Sequence, residues 1–218
     1  MNTIKVTGKG SVHVVPDTVR LEVNIRSVYA DYKQAYKMAK ETLSNVVKVL
    51  EYNKLSGQLA KTVRLDISDN MKNEYEDGNY IGQIKDGFLL AQSIKIDLDI
   101  DNNVLNCIIK GIGKYVKDAQ INIGYTVKDI RPYKLKMLSR AIKDAKEKAQ
   151  IMVETLGCKL GNVSLIDYTE DYISFYSQAR SIHCNEEALS STPEALNITP
   201  DDLSVSDNVV VEWEVLNN

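Results

Sequence analysis

The first 25 residues constrain the fold more than any other stretch. Ile4-Lys-Val6, Val12-His-Val14 and Val19-Arg-Leu21-Glu-Val23-Asn-Ile25 alternate apolar with polar side chains, the period of half-buried strands. Between the runs stand Gly8-Lys-Gly10 and Pro16-Asp17, which read as a bulge and a tight turn separating two strands. Gly8-Lys-Gly10 also invites a phosphate-loop reading, as does Gly111-x-Gly113. Neither carries the third glycine or the Gly-Lys-Ser/Thr that such loops need, and neither lies between a strand and a helix start. The sequence therefore predicts a bulge at the first pair and a helix stop at the second.

Further along, Asp31 with Gln34 makes a capping box for a helix whose inner face is Tyr32, Ala35, Ala39, Leu43, Val46 and Leu50, ended by Ser56-Gly57. Residues 61–98 read as a long hairpin with a polar tip, because Asp77-Gly78 and Asp86-Gly87 are turn signals inside strand-like sequence. A short helix over Asn102 to Ile112 and a strand over Ala119 to Val127 follow. From Pro132 to Gly157 the residues Leu135, Leu138, Ile142, Ala145, Ala149, Met152 and Leu156 form an unbroken heptad stripe. Pro132 suits the first turn of that helix and Gly157 its C-terminal cap; the alanines 141, 145 and 149 suit close approach to a sheet. Strands over Val163 to Asp167 and Val205 to Val215 complete the pattern. Strand–helix–strand thus occurs twice, at about 18–68 and 119–168. One domain spanning 1–218 is expected, with two interlocked halves, 1–100 and 101–218, as the alternative division. Residues 174–207, Ser-rich and acidic, read as a long arm.

Composition excludes several classes. No apolar run approaches the ~20 residues that cross a bilayer, and residues 1–30 lack the parts of a secretory signal, so a cytoplasmic protein is expected. Cys107, Cys158 and Cys184 are too few and too irregularly spaced for a disulfide framework. His13 lies in a strand with no ligand at metal spacing. His183-Cys184 with Glu186 and Glu187 are near neighbours in a loop, which seldom close a tetrahedral site. No Gly-x-Ser-x-Gly elbow or carboxylate pair stands out. No catalytic, cofactor-binding or metal-binding residue is assigned, and no cofactor.

Charge is distributed unevenly. Residues 167–218 hold eleven acidic side chains and one basic, Glu186, Glu187, Asp201 and Asp202 among them, whereas residues 1–166 are net positive. The parts attract, within one molecule or head to tail between molecules. The long second helix carries Arg131, Lys134, Lys136, Arg140, Lys143, Lys146 and Lys148, a face that nucleic acid could use. Asp144 and Glu147 interrupt it, which favours a solvated face with pairs such as Asp144–Lys148. Arg131, Lys136, Arg140 and Lys143, with the four acids, are the candidate interaction residues.

Three segments together resemble one family, the SIMPL-domain proteins. They are Val6-Thr-Gly8-Lys-Gly10-Ser-Val12-His-Val14-Val15-Pro16-Asp17, Ala141-Ile-Lys-Asp144-Ala145-Lys-Glu-Lys-Ala149 through Leu156-Gly157-Cys-Lys-Leu160-Gly161-Asn-Val163, and the closing Val209-Val-Val-Glu-Trp213. The resemblance implies an α+β fold, an antiparallel sheet with two long helices packed on it. Its members include bacterial periplasmic or outer-membrane-associated proteins, one of them a channel-shaped oligomer, and a mammalian kinase-binding adaptor. Some bacterial members are linked to oxidative stress. It implies no catalytic residues. The expected function is a non-enzymatic, self-associating scaffold or protein-binding module, with the hairpin tip 74–87 and the arm 174–207 as contact elements. The alternatives are a small-molecule enzyme with a helix–sheet cleft and a nucleic-acid binder using 131–148.

Overall fold

The structure, a computed structural model, describes residues 2–169, 173–184 and 199–217. Among them the element order is β1 (Thr3–Val14), β2 (Thr18–Tyr29), α1 (Tyr32–Tyr52), β3 (Ala60–Glu76), β4 (Asn79–Asp99), α2 (Asn102–Tyr115), β5 (Ala119–Thr126), α3 (Arg131–Thr155), β6 (Cys158–Asp167), β7 (Ser177–Cys184) and β8 (Leu203–Asn217). The fold is α+β. Its strands fill two sheets, ordered β1-β8-β6 and β3-β4-β2-β5-β7. Two compact units result: β1, α3, β6 and β8 make the first, and β2 to β5, α1, α2 and most of β7 make the second, the chain passing from one to the other after Pro16, Thr126, Ser177 and Thr199. The two opening strands therefore belong to different sheets.

In the second unit the sheet buries its core face by strict alternation. Val19, Leu21, Val23 and Ile25 of β2 meet Ile94, Ile96 and Leu98 of β4 and Ile121, Ile123 and Tyr125 of β5. Val46, Val49 and Leu50 of α1 and Leu105, Ile108 and Ile112 of α2 close the other side, and each fully buried Leu or Ile stabilises by about 1.5–3 kcal/mol. Burial also pushes the Tyr125 phenol above its ordinary pKa. The α1 start is the expected one, since the Asp31 carboxylate accepts the Gln34 N–H at 2.8 Å. Its end comes before Ser56-Gly57, where Lys54 turns the chain at φ 62°. The expected helix stop at Gly111 and Gly113 does not occur; α2 runs through both to Tyr115. A Cβ at Gly111 would lie 2.7 Å from Val49 Cγ1, so this glycine serves the contact with α1.

The first unit is a three-stranded sheet under a single helix. β1 pairs with β8 without a register shift from Thr3↔Glu214 to Val14↔Leu203, so the bulge expected at Gly8-Lys-Gly10 is absent. The glycines instead admit α3. A Cβ at Gly8 would lie 2.6 Å from Ala145 N and nearer still to Ala141 O; one at Gly10 would lie 2.7 Å from Ala141 N and nearer to Met137 O. Helix backbone thus rests on strand backbone. Pro132 stands in the first turn of α3, and Gly157 turns the chain at φ 73°, both as expected.

The buried row of α3 is Met137, Ala141, Ala145, Ala149 and Val153; it holds the three alanines expected against a sheet but shares only Ala145 and Ala149 with the heptad stripe. Leu135, Ile142, Met152 and Leu156 of that stripe are exposed, Leu156 to 78%. Every fourth residue falls in one row along a helix, and here that row meets the sheet, whereas a heptad seam needs a partner that coils with it.

Residues 174–207 are not one arm. Phe175 is buried with Val12, Val14, Met137 and Leu203; Ser177–Cys184 forms β7 at the edge of the larger sheet, and β8 begins at Leu203. Residues 185–198, and Glu186 and Glu187 with them, lie outside the described residues, as do the side chains of His183 and Cys184.

Candidate functional site

Asp77-Gly78, with φ 48° and 83°, makes a two-residue turn of the kind that matches strand twist, and joins β3 to β4 as the sequence predicts. β2 covers β4 only from Phe88 to Asp99. Beyond that point β3 and β4 continue as a two-stranded ribbon, in which Met71↔Lys85, Asn73↔Gln83 and Tyr75↔Tyr80 face each other. Six residues at ~3.4 Å each carry β3 about 20 Å past the root. Asp86-Gly87, a turn signal in sequence, is a bulge here: Asn70 stands opposite the pair, donates Nδ2–H to Asp86 O at 3.1 Å, and Gly87 takes φ 89°. Lys85 anchors the root through Asp69 at 2.7 Å and lies 3.8 Å from the Phe88 ring.

The ribbon carries surface that soluble chains normally cover. Met71, Tyr75, Tyr80, Ile81 and Ile84 are all exposed, Tyr75 and Tyr80 meeting edge to face at 6.0 Å. From Asn70 to Gly87 it holds four carboxylates, Glu74, Glu76, Asp77 and Asp86, and two lysines. The apolar residues lie on both faces, Ile84 with Lys72 on the face opposite Tyr75 and Tyr80, and exposed apolar surface marks interaction sites.

The first unit presents two different flanks of α3. On one, Asp144 accepts the Lys9 N–H at 2.7 Å and the Lys148 ammonium at 2.6 Å, Lys148 reaches Thr7 O at 3.4 Å, and Arg140 donates to Ser11 O. Thr7, Lys9 and Ser11 alternate along the outer edge of β1, so these side chains occupy peptide groups that another strand could otherwise pair. The Lys148 hydrogen bond, then the Lys9 N–H, hold the Asp144 carboxyl below its ordinary pKa. On the other flank a groove of about 620 Å³ runs between α3 and β6, with Ile142, Leu160, Val163, Ile166 and Trp213 as apolar wall and Lys146 and Lys159 among its polar rim. β6 is an edge strand, twice shifted in register, and Val163, Leu165 and Ile166 are exposed on it.

The SIMPL family model, described as protein of unknown function (DUF541), matches residues 4–213. The chain belongs to the SIMPL family. A search of curated proteins gave no match. The SIMPL match begins in β1 and ends in β8, so the glycine pair under α3 and the Trp213 groove lie within it.

The candidate residues of this SIMPL chain fall in different places. Arg131 opens α3, its N–H bonded to Asp129 at 2.9 Å, and Lys136 and Lys143 are exposed on the helix. Arg140 and Lys148 donate to the backbone of β1 while remaining exposed, and the expected Asp144–Lys148 pair is present. Asp201 and Asp202 are exposed just before β8. His13 is exposed on β1 opposite Ser204. Among the described residues no three metal-ligating side chains come together and Cys107 and Cys158 are free. No helix among them is long and apolar enough to cross a membrane. Asp97 is held below its ordinary pKa: burial pulls it upward, but the Arg20 fork at 2.7 and 3.0 Å, with Lys95, outweighs that pull. It lines neither the ribbon nor the groove. Sequence reasoning missed the groove because its wall draws on Ile142 from a stripe read as core; the irregular spacing of apolar residues from Leu160 to Ile166 was the available signal.

Proposed function

We propose that the protein is a non-enzymatic, self-associating binding module, in which the β3–β4 ribbon of one copy docks in the α3–β6 groove of another. The observation that carries the reading is the ribbon itself. A two-stranded ribbon is marginal alone in water, and this one exposes Tyr75, Tyr80, Ile81 and Ile84 beyond the sheet that roots it. Charge supports the choice of occupant. The ribbon is net acidic, while the groove rim carries Lys146 and Lys159 against one acid, Glu154, and the outer face of α3 carries Lys136 and Lys143. Such a contact is head to tail, and repetition would give a ring or a filament.

Light scattering on the full chain tests this. The wild type should show a mass above the 24.5 kDa of one chain, and Tyr75→Ser with Ile84→Ser should reduce it to one chain while leaving circular dichroism unchanged. Lys146→Glu with Lys159→Glu should act alike. A monomeric wild type at about 0.1 mM, or an assembly indifferent to the ribbon pair, would sink the proposal.

A further inference from the structure

The second unit holds a cleft of a different kind, between α1 and α2. It encloses about 620 Å³ and lies above the point where Val49 meets Gly111. That volume is within the range of small-molecule sites. Its rim is cationic: Lys48 comes from α1, Lys110 and Lys114 from α2, and no carboxylate is among the lining residues. Among the described residues none of these three lysines has an ion-pair partner.

Lys110 and Lys114 are four residues apart on one helix, where like charges repel and cost helix stability. Lys114 has an ordinary role available, since it stands in the last turn of α2 where a cation opposes the helix dipole. Lys48 and Lys110 have no such role. Each amide in the cleft donates one hydrogen bond from Nδ2, Asn45 to Tyr115 O at 3.0 Å and Asn53 to Val49 O at 2.8 Å. Beside the amides and the three lysines the cleft is lined by two exposed rings: Tyr52, 89% exposed, and Tyr115, 55% exposed with the Lys114 ammonium 5.3 Å from its centroid.

We infer that this cleft binds a small organic anion with a flat apolar body, its acidic group on Lys48 and Lys110 and its body against Val49, Gly111 and the tyrosine rings. The inference is independent of self-association, because the cleft shares no residue with the ribbon or the α3–β6 groove. Cys107 lines the cleft and is exposed, so it reports occupancy.

The test uses the full chain with 2-naphthoate as probe and 2-naphthylmethanol as its uncharged counterpart. Backbone amide shifts should map to residues 45–53 and 107–115, with a dissociation constant of about 0.1–1 mM for the acid and about tenfold weaker binding of the alcohol. The acid should also slow alkylation of Cys107, followed by peptide mass spectrometry, and leave Cys158 unaffected. Lys48→Gln with Lys110→Gln should weaken the acid by about tenfold, whereas Lys136→Gln with Lys143→Gln should not. Equal binding of acid and alcohol, binding unchanged by the Lys48 and Lys110 pair, or shifts outside the cleft would each overturn the inference.

Discussion

The two units of this protein solve the same packing problem, helix on sheet, with opposite materials. In the larger unit, branched side chains of β2, β4 and β5 interdigitate with those of α1 and α2, and helix and sheet stand a side chain apart. In the smaller unit, Gly8, Gly10, Ala141, Ala145 and Ala149 bring α3 down onto β1 until backbone nearly meets backbone. Close approach has two consequences. Short and long polar side chains on α3 reach the open edge of β1, and apolar residues on the flanks, Leu135 and Ile142 among them, are left outside. Large side chains set helix and sheet apart in one unit, while small residues at the contact bring them together in the other.

That contrast is broken most severely at the glycines. Gly10→Ala places a methyl group against Met137 O and Ala141 N, atoms that cannot yield without lifting the helix. We expect a loss of about 3 kcal/mol or more, and failure of the β1–α3 contact, measured by urea unfolding. Gly78→Ala is the control: its φ of 83° strains a methyl, yet nothing lies within 4 Å, so about 1 kcal/mol is expected. Equal effects at the two positions would show that the close approach is not what selects glycine at residue 10.

The same contrast explains which parts of the fold were legible in the sequence. The cap at Asp31, the turn at Asp77-Gly78 and the alternation of β2, β4 and β8 are local properties, set by neighbours a few residues away. Gly8 and Gly10 are different, since their reason lies at residues 137–145 of another element. A glycine pair looks the same to a reader of sequence whether it bends the chain or admits a helix. The α3 stripe failed for a related cause. Its large residues outweigh the alanines in any periodicity count, yet of that stripe only Ala145 and Ala149 are buried, in a row with Met137, Ala141 and Val153. The ribbon was legible as a hairpin with a polar tip, but its apolar exposure depends on where β2 ends, which pairing decides. Nothing local marks the α1–α2 cleft, which needs both helices in place.

A smaller effect tests whether the polar flank of α3 guards β1. Asp144→Ala removes the acceptor for the Lys9 N–H and frees Lys148, and should lower the melting temperature by about 2–4 °C at neutral pH. The sign with pH follows from the lowered pKa of Asp144. Its ionised form is favoured by folding, so its contribution is complete above the unfolded value of about 3.9 and is lost as pH falls through the lower folded value. The gap between wild type and variant should therefore narrow as pH falls below about 3.9, as calorimetry across pH would show. A gap of constant size would mean that the carboxylate charge plays no part.

The smallest expected effect lies in the larger unit. Gln92 is buried on β4 beneath α1, donates Nε2–H to Ala39 O at 3.2 Å, and leaves its Oε1 with no partner. An unpaired buried acceptor is costly, while the donated bond contributes about 1 kcal/mol, so the two nearly cancel. Ala39 stands mid-helix, where its carbonyl can keep a backbone partner without the glutamine. Gln92→Met removes both terms, and a flexible thioether fills nearly the same space among Ala35, Ala39 and Leu90. The urea midpoint should move by less than the equivalent of about 0.5 kcal/mol, in either direction. Where side chains meet side chains, a substitution of similar volume is absorbed. Where backbones meet, a single methyl is not, and a Gln92→Met loss as large as that at Gly10 would erase the distinction between the two units.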